Sequence, residues 1–125
     1  MTWDWWQPQP STVADASGSV RWLERIFTFV RPQEVQAFLS ANSHLIQLLF
    51  EARRQVSRYF GQDAPVFLEV VSDPESANDK QLFALVGTSL SPQEALGTLD
   101  RLDQDWWLDV SDQSHGNLVV DVKFL

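Results

Sequence analysis

The sequence predicts an α+β fold in which N-terminal helices precede a β-β-α-β unit and pack on one face of a small, mixed, three-stranded sheet. Three observations carry that expectation. Apolar residues between Leu45 and Phe60 recur at helical spacing and end at Gly61, a natural C-terminal stop. The stretches APVFLEVVSD (64–73) and KQLFALVGTS (80–89) are rich in β-branched and aromatic residues, and the DPESAND between them opens with an Asp-Pro turn signal, so an antiparallel hairpin is expected. Ser91-Pro92-Gln93-Glu94 then supplies a helix N-cap, a proline suited to the first turn and a glutamate three residues after the cap.

A chain of 125 residues is long enough for one domain with a real core. That domain is placed at 20–125, behind a Trp-rich head and flexible linker at 1–19. Within the head and linker, QPQPSTVADASGS (7–19) has no apolar period. VRWLERIFTFV (20–30) fits a helical face through Trp22, Leu23, Ile26, Phe27 and Val30, and also an interrupted strand; helix is favoured. Pro32 opens PQEVQAFLSAN as a second helix, and a longer one follows Ser43. The capped helix should run through LGTLDRLDQDWW, and a Gly-Asn turn leads into NLVVDVKFL, whose alternation marks a half-buried strand.

A right-handed crossover makes the second and third strands parallel. If the crossing helix passes over the first strand, the order is 2-1-3, with VFLEVV at the centre. Val66, Leu68 and Val70 then face the helices, while Phe67, Val71, Phe83 and Leu85 point away beside Glu69. A patch of that size calls for a cover. Either the head folds back over it or a homodimer forms through the sheet face.

Composition excludes several functions. No run of about 18 apolar residues exists to span a bilayer, and the first residues lack the basic and apolar regions of a secretory signal, so the default location is cytoplasmic. Without cysteine there is no disulfide, thiolate nucleophile or sulfur-ligated metal. Two histidines, His44 and His115, are too few for a histidine-rich metal site and read as surface residues. Neither DQDWWLDVSD nor SDPESANDK has the ligand spacing of a calcium loop. No phosphate-binding glycine loop or nucleophile elbow is present, so no cofactor, metal or catalytic residue is expected. Residues 1–62 carry five acids against six bases, whereas 63–125 carry twelve against three, giving +1 and −9. That field repels nucleic acid and anionic membrane and favours a protein partner with a basic surface.

Asp-Trp-Trp occurs twice, and the two stretches hold Trp3, Trp5, Trp6, Trp106 and Trp107. In the capped helix, Ala95, Leu96, Leu99, Leu102 and Trp106 share one face, Trp107 falls at its edge and Leu108 on the far side. Asp100, Asp105 and Asp109 lie off the stripe. Asp103 projects into it and needs a partner. Arg53 falls within the apolar stripe of the long helix, so a partly buried Arg53–Asp103 ion pair between the two helices is expected. Two functional readings follow. In the first, an acidic, Trp-bearing surface (Trp3, Trp5, Trp6, Trp107, Asp105, Asp109) binds a protein partner without catalysis. In the second, a small hydrolase or ligand-binding domain uses a carboxylate-lined pocket, which requires Asp103 to line a cavity and titrate abnormally.

FLSANSHLIQLLFEA (38–52), FLEVVSDPE (67–75) and SPQEALGTLDRLDQDWWLD (91–109), followed by the strand ending VKFL, resemble a family of small uncharacterised bacterial proteins common in cyanobacteria. The resemblance covers roughly 35–125 and rests on the pattern SPxEALxxLDxxDxxWWLD. It implies no activity; what it adds is an association with two-gene modules of the toxin-antitoxin kind, hence an antitoxin-like or assembly-factor-like role. The head before residue 32 departs from the pattern.

Overall fold

A computed structural model describes the backbone of residues 12–73 and 75–125 and the side chains of 18–72, 75 and 80–125. Helix α1, Thr12–Ile26, begins inside the segment read as linker. Its apolar residues Val20 and Leu23, with Phe27 just beyond, sink into the core. The two readings of 20–30 occur in succession: the helix closes with Phe27 N–H donating to Leu23 O, and Thr28–Phe29 then forms β1. Phe29 and Thr28 pair in parallel with Leu68 and Phe67, which is why this β-branched and aromatic stretch leaves the helix. Arg31, at a left-handed φ of 52°, turns the chain into α2, Pro32–Ala41. The long helix α3, His44–Phe60, ends at Gly61 with φ 99°, a conformation glycine adopts without a Cβ clash.

The sheet has four strands in the order β1-β2-β3-β4, not the three expected. β2 (Val66–Asp73) and β3 (Ser76–Thr88) form the antiparallel hairpin, closed by a much tighter turn than DPESAND suggested. β4 (Leu118–Phe124) runs parallel to β3, as the crossover rule requires, but sits beside it: Leu82 pairs with Leu118. The 2-1-3 order is thereby corrected. The position it gave the last strand, beside β2, is taken by β1, and the crossing helix reaches the nearer free edge.

Alternation in the strands is as expected. Val66, Leu68, Val70, Leu82, Ala84, Val86, Leu118 and Val120 are buried and form one core with Leu23, Leu39, Leu45, Leu49 and Leu102 from the helices. On the opposite face Phe67, Glu69, Phe83 and Leu85 are half-buried and Val71 is exposed. Part of that face is covered by the chain's own side chains. A Cβ at Gly87 would meet Pro65 Cγ at 2.9 Å, Leu125 Cδ1 at 3.0 Å and Phe67 Cε1 at 3.2 Å, and the Lys123 ammonium lies 4.8 Å from the centre of the Phe67 ring. Glycine at 87 is what lets these groups close over the strand.

Candidate functional site

The serine N-cap at the start of α4 (Pro92–Leu102) is formed, with Glu94 bound to the Ser91 hydroxyl in place of the reciprocal backbone bond of a full capping box. Ser91 Oγ accepts from Glu94 N–H at 3.2 Å and donates to the Glu94 carboxylate at 2.9 Å. The helix does not continue regularly to Trp107, however. Asp103–Trp107 forms a π-helical turn, followed by a short α turn at Leu108–Val110 and a 3-10 turn at Ser111–Ser114. The inward residues Thr98, Leu102, Trp106, Val110 and Ser114 are spaced by four. In an α-helix that spacing rotates by about 40° per step. Widening one turn takes back part of that drift and helps keep the later residues facing the core.

Trp106 is buried, and its Nε1–H donates to Glu51 at 3.0 Å. Trp107 is half-buried against it, with ring centroids 5.5 Å apart, and Leu108 is 64% exposed. These three positions match the helical phase, whereas Leu96, expected on the inward face, is 52% exposed. Asp105, read as off the stripe, accepts a 2.6 Å hydrogen bond from the Tyr59 hydroxyl on α3. Donating to that carboxylate raises the Tyr59 pKa above its ordinary value, and burial and the nearby negative charge act in the same direction. Asp109 is exposed on the next turn. Sequence reasoning missed Glu51 and Tyr59. The signal was the polar row Glu51, Gln55, Tyr59 along α3, at the spacing that makes helical neighbours.

The Arg53–Asp103 pair is not formed. Arg53 instead donates to Ile26 O at 3.0 Å, Ser57 Oγ at 2.9 Å, Gln62 O at 3.2 Å and Ala64 O at 3.0 Å. It thereby ties the end of α1 and the loop after α3 to α3 itself. Helical phase gave the direction of Arg53 but not the carbonyls waiting there, which with Ser57 take four of its donors. Asp103 is left half-buried, with Oδ1 shielded from solvent and without a hydrogen-bond partner. Desolvation pushes its pKa up, and the charges of Asp100 and Asp121 add to the effect.

The two histidines, read separately as surface residues, are both exposed but adjacent, with ring centroids 4.8 Å apart. Among the described residues no group of three or more His, Asp or Glu could hold a metal ion, and no helix is long and apolar enough to cross a membrane. A groove of about 540 Å³ lies between α2 and the sheet, lined in part by Glu34, Phe38, Asn42, Val70, Lys80 and Asn117; Asp103 does not line it. Trp3, Trp5 and Trp6, assigned to partner binding, lie outside the described residues.

Fold and surface together define an α+β domain whose second half presents carboxylates around a tryptophan rim. Comparison with protein-family models, curated proteins and solved structures finds no match.

Proposed function

We propose that the protein is a non-catalytic interaction module that uses its acidic, tryptophan-bearing surface to bind a protein partner with a basic surface, in the manner of an antitoxin or an assembly factor. One observation carries the reading. The π turn holds Trp107 at the rim, with Leu108 exposed beside it and Asp105 and Asp109 alongside. Tryptophan is enriched at the hot spots of protein interfaces. The excess negative charge of residues 63–125 would steer a cationic partner toward it.

The test compares two forms of the protein as bait in native lysate of the source cell. Wild type should retain a stoichiometric, salt-sensitive partner, and a Trp107→Ala, Asp109→Lys variant with an unchanged melting temperature should lose it. Retention by both forms, or by neither, overturns the assignment of this surface.

A second reading, a ligand-binding or hydrolytic domain built on a carboxylate, draws on the unpartnered Oδ1 and raised pKa of Asp103. The groove between α2 and the sheet is not lined by Asp103, whereas a pocket of that kind would have to be. The interaction reading is therefore preferred.

A further inference from the structure

β4 is an edge strand. Its parallel register runs from Leu82↔Leu118 to Thr88↔Phe124, with Leu82 N–H donating to Asn117 O and Leu125 N–H donating to Thr88 O. Those bonds turn the amides and carbonyls of Val119, Asp121 and Lys123 toward β3. The backbone groups of Leu118, Val120, Val122 and Phe124 therefore point outward, as a row ready to pair with another strand. The Val122 amide is held by its neighbour's carboxylate, Asp121 Oδ1, at 2.8 Å. At the far end the edge carries apolar surface, with Phe124 48% and Leu90 38% exposed.

One carboxylate, that of Asp121, sits on this edge at the Val122 amide. The charges of Asp100, on α4, and Asp121, on β4, both reach Asp103, whose Oδ1 is buried and unbonded. Among the described residues the ion pairs are those of Arg31 with Glu34 and Glu69, so no cation is paired with this group. A second copy on the same edge would bring another set of the same three charges. A cationic strand would neutralise them.

We propose that the β4 edge docks an extended segment of a partner protein, alternating apolar with lysine or arginine residues, which joins the sheet as a fifth strand and sets its cations against Asp100, Asp103 and Asp121. This rests on the protein-interaction reading above and specifies its mode of recognition. Main-chain pairing to Leu118, Val120, Val122 and Phe124 supplies affinity. An incoming carbonyl replaces Asp121 at the Val122 amide, and the freed carboxylate meets the cation.

The probe is a synthetic peptide of alternating valine and lysine, with an alternating valine and glutamate peptide as control, titrated into the full chain and followed by amide NMR and hydrogen exchange. The lysine peptide should saturate, shift the amides of Leu118, Val120, Val122 and Phe124 and slow their exchange. Its affinity should fall about tenfold when salt shortens the Debye length from roughly 30 Å to 8 Å, and by a similar factor in the Asp103→Asn, Asp121→Asn double variant. Val122→Pro should abolish binding, because it removes an outward amide while the ladder to β3 uses the alternate residues; if that variant does not fold, the double variant carries the test. Equal binding of the glutamate peptide would overturn the proposal. So would edge amides that become protected without peptide as a dimer forms, since a second copy would then be the occupant. Shifts confined to Trp107 and Leu108 would overturn the edge assignment while leaving the acidic-surface reading intact. No shift anywhere would overturn edge docking alone, because the lysate comparison decides the broader reading independently.

Discussion

Replacing Asp103 by leucine should stabilise the protein at neutral pH. A buried acceptor without a partner costs about 1–3 kcal/mol. Asp103 is only half-buried, and discounting for the solvent that reaches its other oxygen leaves about 0.5–1.5 kcal/mol. Leucine also has the better helix propensity, worth a few tenths of a kcal/mol. For a chain of 125 residues a gain near 1 kcal/mol corresponds to a rise in Tm of about 3–5 °C. The pH dependence fixes the cause. Because the folded-state pKa of Asp103 lies above its ordinary value of 3.8, the folded state binds this proton more tightly than the unfolded state. The stability linked to that proton is fully present below pH 3.8 and is lost as pH rises through the raised value. The advantage of Asp103→Leu should therefore be largest at neutral pH and shrink on acidification. Asp103→Asn should lose the same pH-dependent component, since it removes the charge and keeps the shape. Thermal and urea unfolding of the three proteins between pH 7 and pH 4 would measure both effects. A leucine variant less stable than wild type at pH 7, or a difference that does not change with pH, would refute the reasoning.

Further perturbations test the other contacts. Arg53→Met leaves the carbonyls of Ile26, Gln62 and Ala64 without their donor and should destabilise by about 2–4 kcal/mol in urea unfolding. Combined with Asp103→Leu in a double-mutant cycle it should be additive within about 0.5 kcal/mol, and strong coupling would restore the ion pair excluded above. The phenol of Tyr59, the sole tyrosine, should titrate above its ordinary 10.0 by ultraviolet difference absorbance and move back toward it in Asp105→Asn. Ser91→Ala removes the acceptor for Glu94 N–H and should lower stability by about 1 kcal/mol. Gly87→Ala forces a methyl against Pro65, Leu125 and Phe67 and should destabilise by about 1–3 kcal/mol, the lower figure if the terminal Leu125 side chain swings clear.

Local chemistry was legible in the sequence wherever a short pattern has one physical solution. The N-cap at Ser91, the stop at Gly61, the hairpin from 66 to 88 and the inward turn of Trp106 all formed as their residue types require. What the sequence left open depends on partners distant in the chain. Thr28 and Phe29 become a strand because Phe67 and Leu68 offer an edge, and that pairing sends β4 to the other side of the hairpin. The start of α1 at Thr12 was obscured by a polar, Ser- and Gly-bearing composition that has no apolar period of its own. Burial of Val20 and Leu23 against α3 at the other end of that helix supplies what propensity does not. For the candidate site, phase placed Asp103 and Arg53 inward but could not choose between a carboxylate and a set of backbone carbonyls as the arginine's acceptors.

The π turn links the fold to the surface. Had α4 stayed regular, a row spaced by four would have drifted about 120° between Leu102 and Ser114, carrying Val110 and Ser114 off the sheet. Buried Ser114, which accepts from Gly116 N–H, would then have had no place in the turn that delivers Asn117 to Leu82 and starts β4. Widening the helix at Asp103–Trp107 keeps that connection, and it falls on the residues that carry the acidic rim. The same widened turn seats Trp106 on Glu51 and brings Asp105 to Tyr59, while Asp103, at its first position, is left without a donor. Wide turns of this kind persist where the surrounding structure requires them and are frequent at functional sites. Here the requirement is the crossover to β4, and its by-product is a carboxylate beside an open edge. A partner that supplies one cation and one strand would satisfy both at once.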